Sequence, residues 1–304
     1  MILQEPNYRI VKKLSSGQNQ HGDVYLIEIR GELYVLKTFT VDKAESLESE
    51  VKIGMMLNHP NLNRVEGYWY DSYENTTKVI FDYVENDGTL DNFIVKGDGV
   101  PFIGKVEIAL ALASAVNYLH SQQIFHRDIK TKNIIITSRG EPILIDYDLS
   151  CIYNERYTHA RVPKYPGDIM CRDEFAGTIN YMHPSFIAKN VNGTYVDIYG
   201  LALVFLCLFG GFEEPPYPTP RQGEDIRDFF IHQKKGNRDF NISVRDRCIY
   251  QNGRAIIPHD SRLFRYPYLC EIINRMIRAP FSISAKGLES SLGMFVEGYE
   301  TSRE

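Results

Sequence analysis

The stretch Phe125-His126-Arg127-Asp128-Ile129-Lys130-Thr131-Lys132-Asn133 sets three complementary groups at fixed short spacing. Asp128 can take a proton from a hydroxyl, Lys130 adds a cation two places on, and the Asn133 carboxamide offers an oxygen to a metal ion. That combination is what phosphoryl transfer needs: a positioned nucleophile, a cation facing the transferred group, and a site for Mg²⁺. A polar loop with incidental charges would not predict partners elsewhere, and this chain has them. Pro142-Ile143-Leu144-Ile145-Asp146 is a short apolar strand ending in a carboxylate that can share a metal with Asn133. Mg²⁺ prefers such oxygen ligands, which makes Asn133 and Asp146 the candidate metal pair. Upstream, Gly17 and Gly22 bracket a turn where the missing Cβ lets backbone approach phosphate oxygens. Lys37 ends a later strand under that turn, and Glu50 can pair with it to hold the ammonium toward phosphates.

The elements that must position these groups follow from the spacing of apolar residues. From Tyr8 to Phe39 the chain reads as an antiparallel meander: an opening strand, a Gly-containing turn, Val24 to Ile29, the turn Arg30-Gly31-Glu32, and Leu33 to Lys37. Leu47, Val51 and Met55 lie on one face of a helix over Ala44 to Leu57, which His59-Pro60-Asn61 ends. Two more strands are expected at Arg64 to Tyr70 and Lys78 to Val84. The turn-rich Glu85-Asn86-Asp87-Gly88-Thr89 marks a boundary, after which the pattern is mainly helical. Val106 to His120 is the helix that leads into the catalytic stretch. The expected fold is therefore α+β in two lobes, a small antiparallel sheet with one helix over residues 1–84 and a larger helical lobe over 89–304, with a hinge near 82–88.

The 304 residues are 43% hydrophobic, ample for a buried core, and the formal net charge of -5 gives no basic field for nucleic acid or an anionic membrane. Five scattered cysteines without paired spacing favour neither a disulfide framework nor a zinc site, so a reducing, cytoplasmic setting is expected. Met1 to Val11 lacks the apolar core of a signal peptide, and no stretch reads as a bilayer span. Ile198 to Phe212 is too short for one and reads as a buried helix.

On these residues the chain resembles the eukaryotic-type protein kinases over nearly its whole length. The resemblance rests on Tyr34-Val35-Leu36-Lys37, Glu50, the HRDIKTKN stretch, Asp146, the segment Gly177-Thr178-Ile179-Asn180-Tyr181-Met182-His183-Pro184, and Asp197-Ile198-Tyr199-Gly200-Leu201, in the family's order. It implies an ATP- and Mg²⁺-dependent enzyme, with Mn²⁺ as a possible substitute, that phosphorylates a protein hydroxyl. Asp128 then orients the hydroxyl and accepts its proton, Lys130 neutralises the transferring phosphoryl group, and Asn133 and Asp146 hold the metal. Lys130 with Thr178 resembles the serine/threonine subclass. Adenine is expected between Val24 and Val35 above and Ile135 below, with Phe81 as gatekeeper and backbone groups of Asp82 and Val84 at the hinge. Besides a protein substrate, the resemblance admits an upstream kinase or regulatory protein. A phosphate on Thr158, pairing with Arg127, would order the segment before Pro184.

Some motif positions depart from the family pattern. Asn19 replaces the middle glycine of the phosphate loop, and Asp146-Tyr147-Asp148 stands for Asp-Phe-Gly. Adjacent side chains on an extended backbone point apart, which makes Asp148 an exposed turn residue rather than an extra metal ligand. Ser185 replaces a glutamate, and Ile283 stands where its arginine partner is expected. Asn19 and Asp148 support an alternative reading as a pseudokinase that binds nucleotide or partners without transfer. A small-molecule kinase would leave the Gly177 to Pro184 segment unexplained. Arg221 to Pro267 is the least assignable region and the candidate surface for recruiting partners.

Overall fold

A computed structural model of the chain describes residues 5–15, 22–40, 44–96, 99–152, 177–182, 194–215, 241–243, 248–251, 254–256, 267–279 and 282–301. Five strands, β1 (Arg9–Ser15), β2 (Val24–Ile29), β3 (Glu32–Thr40), β4 (Val65–Asp71) and β5 (Thr76–Asp82), form one antiparallel sheet in the order β1-β2-β3-β5-β4. Helix α1 (Ala44–Met56) packs on one face. The period of two explains the layering: Val79 and Phe81 join Phe39, Val51 and Val65 on the α1 face, while Ile80 joins Ile27, Leu36 and Trp69 on the other. This is the small lobe expected from the meander. Its last strand begins and ends two residues earlier than the apolar run indicates.

The turn-rich boundary is a strand, β6 (Asn86–Thr89), and it belongs to the larger lobe. It pairs with β8 (Ile134–Thr137), which pairs in turn with β9 (Pro142–Leu144). A two-residue strand, β7 (Ile124–Phe125), pairs with β10 (Cys151–Ile152) and closes the base of the catalytic loop. Around these strands lie α2 (Leu90–Val95), α3 (Phe102–Ser121) and α4 (Thr194–Gly210). The strands β11 (Asn241–Ser243), β12 (Cys248–Gln251) and β13 (Arg254–Ile256) form a small antiparallel sheet, followed by α5 (Pro267–Arg278) and α6 (Ala285–Thr301). The helix read over Ile198 to Phe212 is α4, buried continuously from Asp197 to Gly210. Ile53 of α1 and Leu57, just after it, join the large core, so this segment ties the two lobes together.

Two expectations are corrected. Helix α3 is long and apolar enough to cross a bilayer by length and composition, contrary to the reading that no stretch is. Its apolar residues instead fill the core, from Phe102 and Val106 to Leu119, and Asn117 Nδ2 donates to Glu289 Oε2 of α6 at 2.7 Å. Cys151 is disulfide-bonded, where the scattered spacing favours no disulfide framework, while Cys207 and Cys270 are free and buried. Scattered spacing along the chain did not reveal that pairing, because a disulfide needs only proximity in the fold.

Candidate active site

The catalytic loop is hung from α4. Asp197 accepts the backbone N–H of His126 at 3.0 Å and of Arg127 at 2.8 Å, and His120 Nε2 donates to it at 2.9 Å. Burial alone would raise the Asp197 carboxyl, but the His120 hydrogen bond, the nearby histidines and the Arg127 N–H outweigh it and hold the group below its usual range. These contacts secure a strained backbone, since Arg127 sits at φ 68. Gly200, one turn along α4, lies so close that a Cβ there would come 2.9 Å from Ile129 O. His126 completes the frame by donating from Nε2 to Ile145 O at 3.1 Å, with Nδ1 accepting the Asp128 N–H at 3.3 Å.

This frame presents Asp128 to four donors. Oδ1 accepts Thr178 N at 2.9 Å and Thr178 Oγ1 at 2.7 Å; Oδ2 accepts Lys130 Nζ at 2.7 Å and Asn133 Nδ2 at 3.1 Å. Lys130 also donates to Thr178 Oγ1 at 2.9 Å. Asn133 Nδ2 further donates to Asp128 O at 3.0 Å, so Oδ1 is the ligand atom this amide can offer a cation. Thr178 reaches the site because Gly177, at φ 120, passes close under the loop: a Cβ there would meet Arg127 O at 2.7 Å. Asp128, Lys130, Asn133 and Thr178 are thus brought together.

Lys37 is the centre of a second cluster. Its Nζ lies 3.0 Å from Glu50 Oε2, 2.9 Å from Asp146 Oδ1 and 2.9 Å from Asp148 Oδ1. Carboxylate oxygens of Glu50, Asp146 and Asp148 all fall within 4.8 Å of one another. Burial works against the Lys37 charge, but the three carboxylates outweigh it and push the ammonium above its ordinary range. Burial, with Asp148 and Asp146 adding to it, raises Glu50 well above the usual carboxylate range despite Lys37.

The expectation that Asp148 is an exposed turn residue is therefore wrong. It is 8% exposed and paired with Lys37. Alternation sets apart only adjacent side chains, and Asp146 and Asp148 are two apart, so the rule does not separate them; both carboxylates converge on Lys37. Tyr147 between them is fully buried, and its hydroxyl donates to Asn63 O at 2.8 Å.

Val24, Val35 and Ile135, the residues expected around adenine, are half-buried, and Phe81 is buried in a cluster with Val51. Asp82 ends β5 at the lobe junction, and the Val84 carbonyl accepts Asn86 Nδ2 at 2.8 Å. Gly22 has a packing reason to be glycine: a Cβ there would stand 1.4 Å from Thr38 O. Gly17, Asn19, Thr158 and Ser185 lie outside the described residues, as does most of Arg221 to Pro267. Ile283 packs half-buried against the large core, in keeping with an apolar residue at that place.

Sequence reasoning missed Asn61 as a positioning residue and used it only as a helix stop. Its Nδ2 donates to Pro142 O at 2.8 Å and its carbonyl accepts Leu144 N at 2.9 Å, clipping the loop after α1 to the strand that delivers Asp146. The signal was the His59-Pro60-Asn61 turn, where His59 Nδ1 accepts the Asn61 N–H at 3.1 Å.

Comparison with known proteins agrees with this geometry. The family model described as protein kinase domain matches residues 8–278. A relative from Acanthamoeba polyphaga mimivirus, whose name proposes a serine/threonine-protein kinase, is 29% identical over 238 residues, covering 75% of this chain and 81% of that protein. Mitogen-activated protein kinase kinase 2 of Arabidopsis thaliana is 30% identical over 222 residues, 70% of this chain and 56% of its own. Aurora kinase A-A of Xenopus laevis is 28% identical over 219 residues, covering 69% of this chain and 49% of its own, so the match spans about half of each of these two longer proteins. With a family match over most of its length, the chain belongs to the eukaryotic-type protein kinases, among relatives named as serine/threonine-protein kinases.

Proposed function

We propose that this chain is an active protein serine/threonine kinase that transfers the γ-phosphate of ATP to a protein hydroxyl with Mg²⁺ or Mn²⁺. The observation that carries the reading is Asp128, whose carboxylate is aimed by four donors from three side chains and one backbone N–H. A substrate hydroxyl takes the place of one donor, and the other three keep the carboxylate directed at its proton. Lys130, bridging Asp128 and Thr178, stands beside the position of the attacking hydroxyl and offsets negative charge on the phosphoryl group being transferred. Asp146 and Asn133 supply the hard oxygen donors that Mg²⁺ takes, which fits this donor set to that ion. Held by Asn133 and Asp146, such an ion would supply positive charge against the negative charge of the transferring phosphoryl group. Lys37, held by Glu50, faces the phosphates from the small lobe, and Val24, Val35 and Ile135 cover the adenine ring. The engagement of Thr178 by Lys130 supports serine or threonine as acceptor.

The test is transfer of labelled γ-phosphate to a generic protein substrate and to the chain itself, comparing wild type with Asp128→Asn and mapping the phosphorylated residues. Transfer that disappears in the variant, with phosphate on serine or threonine, supports the proposal. Nucleotide binding without transfer by the wild type would favour the pseudokinase reading instead.

A further inference from the structure

An ammonium carries three donors, and on Lys37 all three are engaged by protein carboxylates. A phosphate oxygen can bond Lys37 only if one of these acceptors lets go. Glu50 and Asp146 each have a part in the proposed reaction, the first aiming the lysine and the second ligating the metal. Asp148 has no such part and stands where the family pattern has glycine. Its backbone does not call for glycine, because Asp148 is absent from the described residues with positive φ while Asp146 is among them. The carboxylate is therefore the substantive difference at this position. It is also fixed: the neighbouring Tyr147 ring is fully buried and its hydroxyl is bonded to Asn63 O, which anchors the backbone carrying Asp148.

We propose that Asp148 is an intramolecular competitor for Lys37, occupying the donor that a nucleotide phosphate requires and so setting the affinity of this site for phosphate-bearing nucleotides. The proposal rests on the nucleotide reading given above. A carboxylate and a phosphate oxygen are both anionic acceptors, and the carboxylate is tethered at 2.9 Å, so a nucleotide meets a filled donor rather than an open one. A nucleoside without phosphates needs no contact with Lys37 and escapes the competition. Asp148 thus separates adenosine from ADP and ATP, which mere packing would not do.

Calorimetric titration of the wild type, Asp148→Asn and Asp148→Gly with adenosine, with ADP in EDTA, and with ADP plus Mg²⁺ tests this, after thermal melting shows each variant folded. Asparagine keeps the side-chain shape without charge, and glycine removes the side chain altogether. Both variants are expected to bind metal-free ADP about tenfold more tightly, the scale of one charged hydrogen bond returned to the ligand. Adenosine affinity stays at the wild-type value, and adding Lys37→Met to either variant cancels the gain. Unchanged ADP affinity, or an equal gain for adenosine, would overturn the proposal. So would weaker ADP binding confined to the Mg²⁺ titration, which would make Asp148 a metal ligand. Absence of adenosine and ADP binding by every protein would overturn the nucleotide reading and this proposal with it.

Discussion

Around Asp128 one carboxylate is surrounded by donors, whereas around Lys37 one ammonium is surrounded by carboxylates. The first cluster is complete without a ligand. Each acceptor has a donor, and the loop that carries it is bonded to Asp197 from beneath. The second holds more negative than positive charge in a pocket where Lys37 is 8% and Glu50 1% exposed. Buried charge without a matching partner is expensive, so this cluster responds to whatever protonates it, neutralises it or competes within it. One cluster is satisfied by its own donors, and the other carries an excess of like charge.

The comparison can be broken at either end, and the largest effect is expected at Asp128. Asp128→Asn keeps the shape but cannot accept a proton, and transfer should fall by ~10²–10⁴-fold in the labelled-phosphate assay. At the other end, Lys37→Met leaves three carboxylates facing one another without their cation. Chemical denaturation should show a loss of about 3 kcal/mol. Adding Asp148→Asn to Lys37→Met should return roughly 1 kcal/mol, because contacting charges couple on that scale. Strict additivity of the two substitutions would mean that Asp148 does not share the pocket electrostatically.

Residues whose chemistry dictates both type and local spacing are legible in the sequence alone. Asp128, Lys130 and Asn133 fall in one loop, and Lys37 and Glu50 are found by the strand and helix that carry them. What is not legible depends on contacts between residues far apart in sequence. Asp148 reads as exposed because its partner Lys37 lies 111 residues away in sequence, and alternation, which sets apart only adjacent side chains, says nothing about it. Tyr147 reads as a mild replacement of phenylalanine, yet its hydroxyl finds Asn63 O across the lobe junction, a contact between residues far apart in sequence. The apolar periodicity of α3 identifies a helix but cannot say that the core, rather than lipid, receives its apolar face.

The scaffold under Asp128 gives the next smaller effect. Asp197→Asn retains one acceptor oxygen for the two backbone N–H groups of His126 and Arg127, and the Arg127 conformation at φ 68 loses support. A buried donor left without its acceptor costs about 1–3 kcal/mol, so a loss of about 2 kcal/mol is expected by denaturation. Phosphate transfer should fall with it even at temperatures where the variant remains folded. Full activity at such temperatures would separate the Arg127 backbone from the positioning of Asp128.

The smallest effect sharpens the comparison most, because the two clusters have opposite signs in pH. Asp197 is held below its ordinary value of 3.8, so its contribution is present above that value and is lost as pH falls through the folded one. Glu50 is raised above its ordinary 4.5 by burial, so the folded chain binds the proton that the unfolded chain has already released. Its contribution is present in full below 4.5 and declines as pH rises through the raised folded value. Melting temperatures followed upward from pH 4.5 should therefore carry a downward component that Glu50→Gln removes, since glutamine mimics the protonated acid and does not titrate. A second component, appearing only below pH 3.8, should survive in Glu50→Gln and vanish in Asp197→Asn. Identical pH profiles for wild type and Glu50→Gln would show that Lys37 alone balances the pocket, and the excess of negative charge that distinguishes it from the Asp128 cluster would have no thermodynamic consequence.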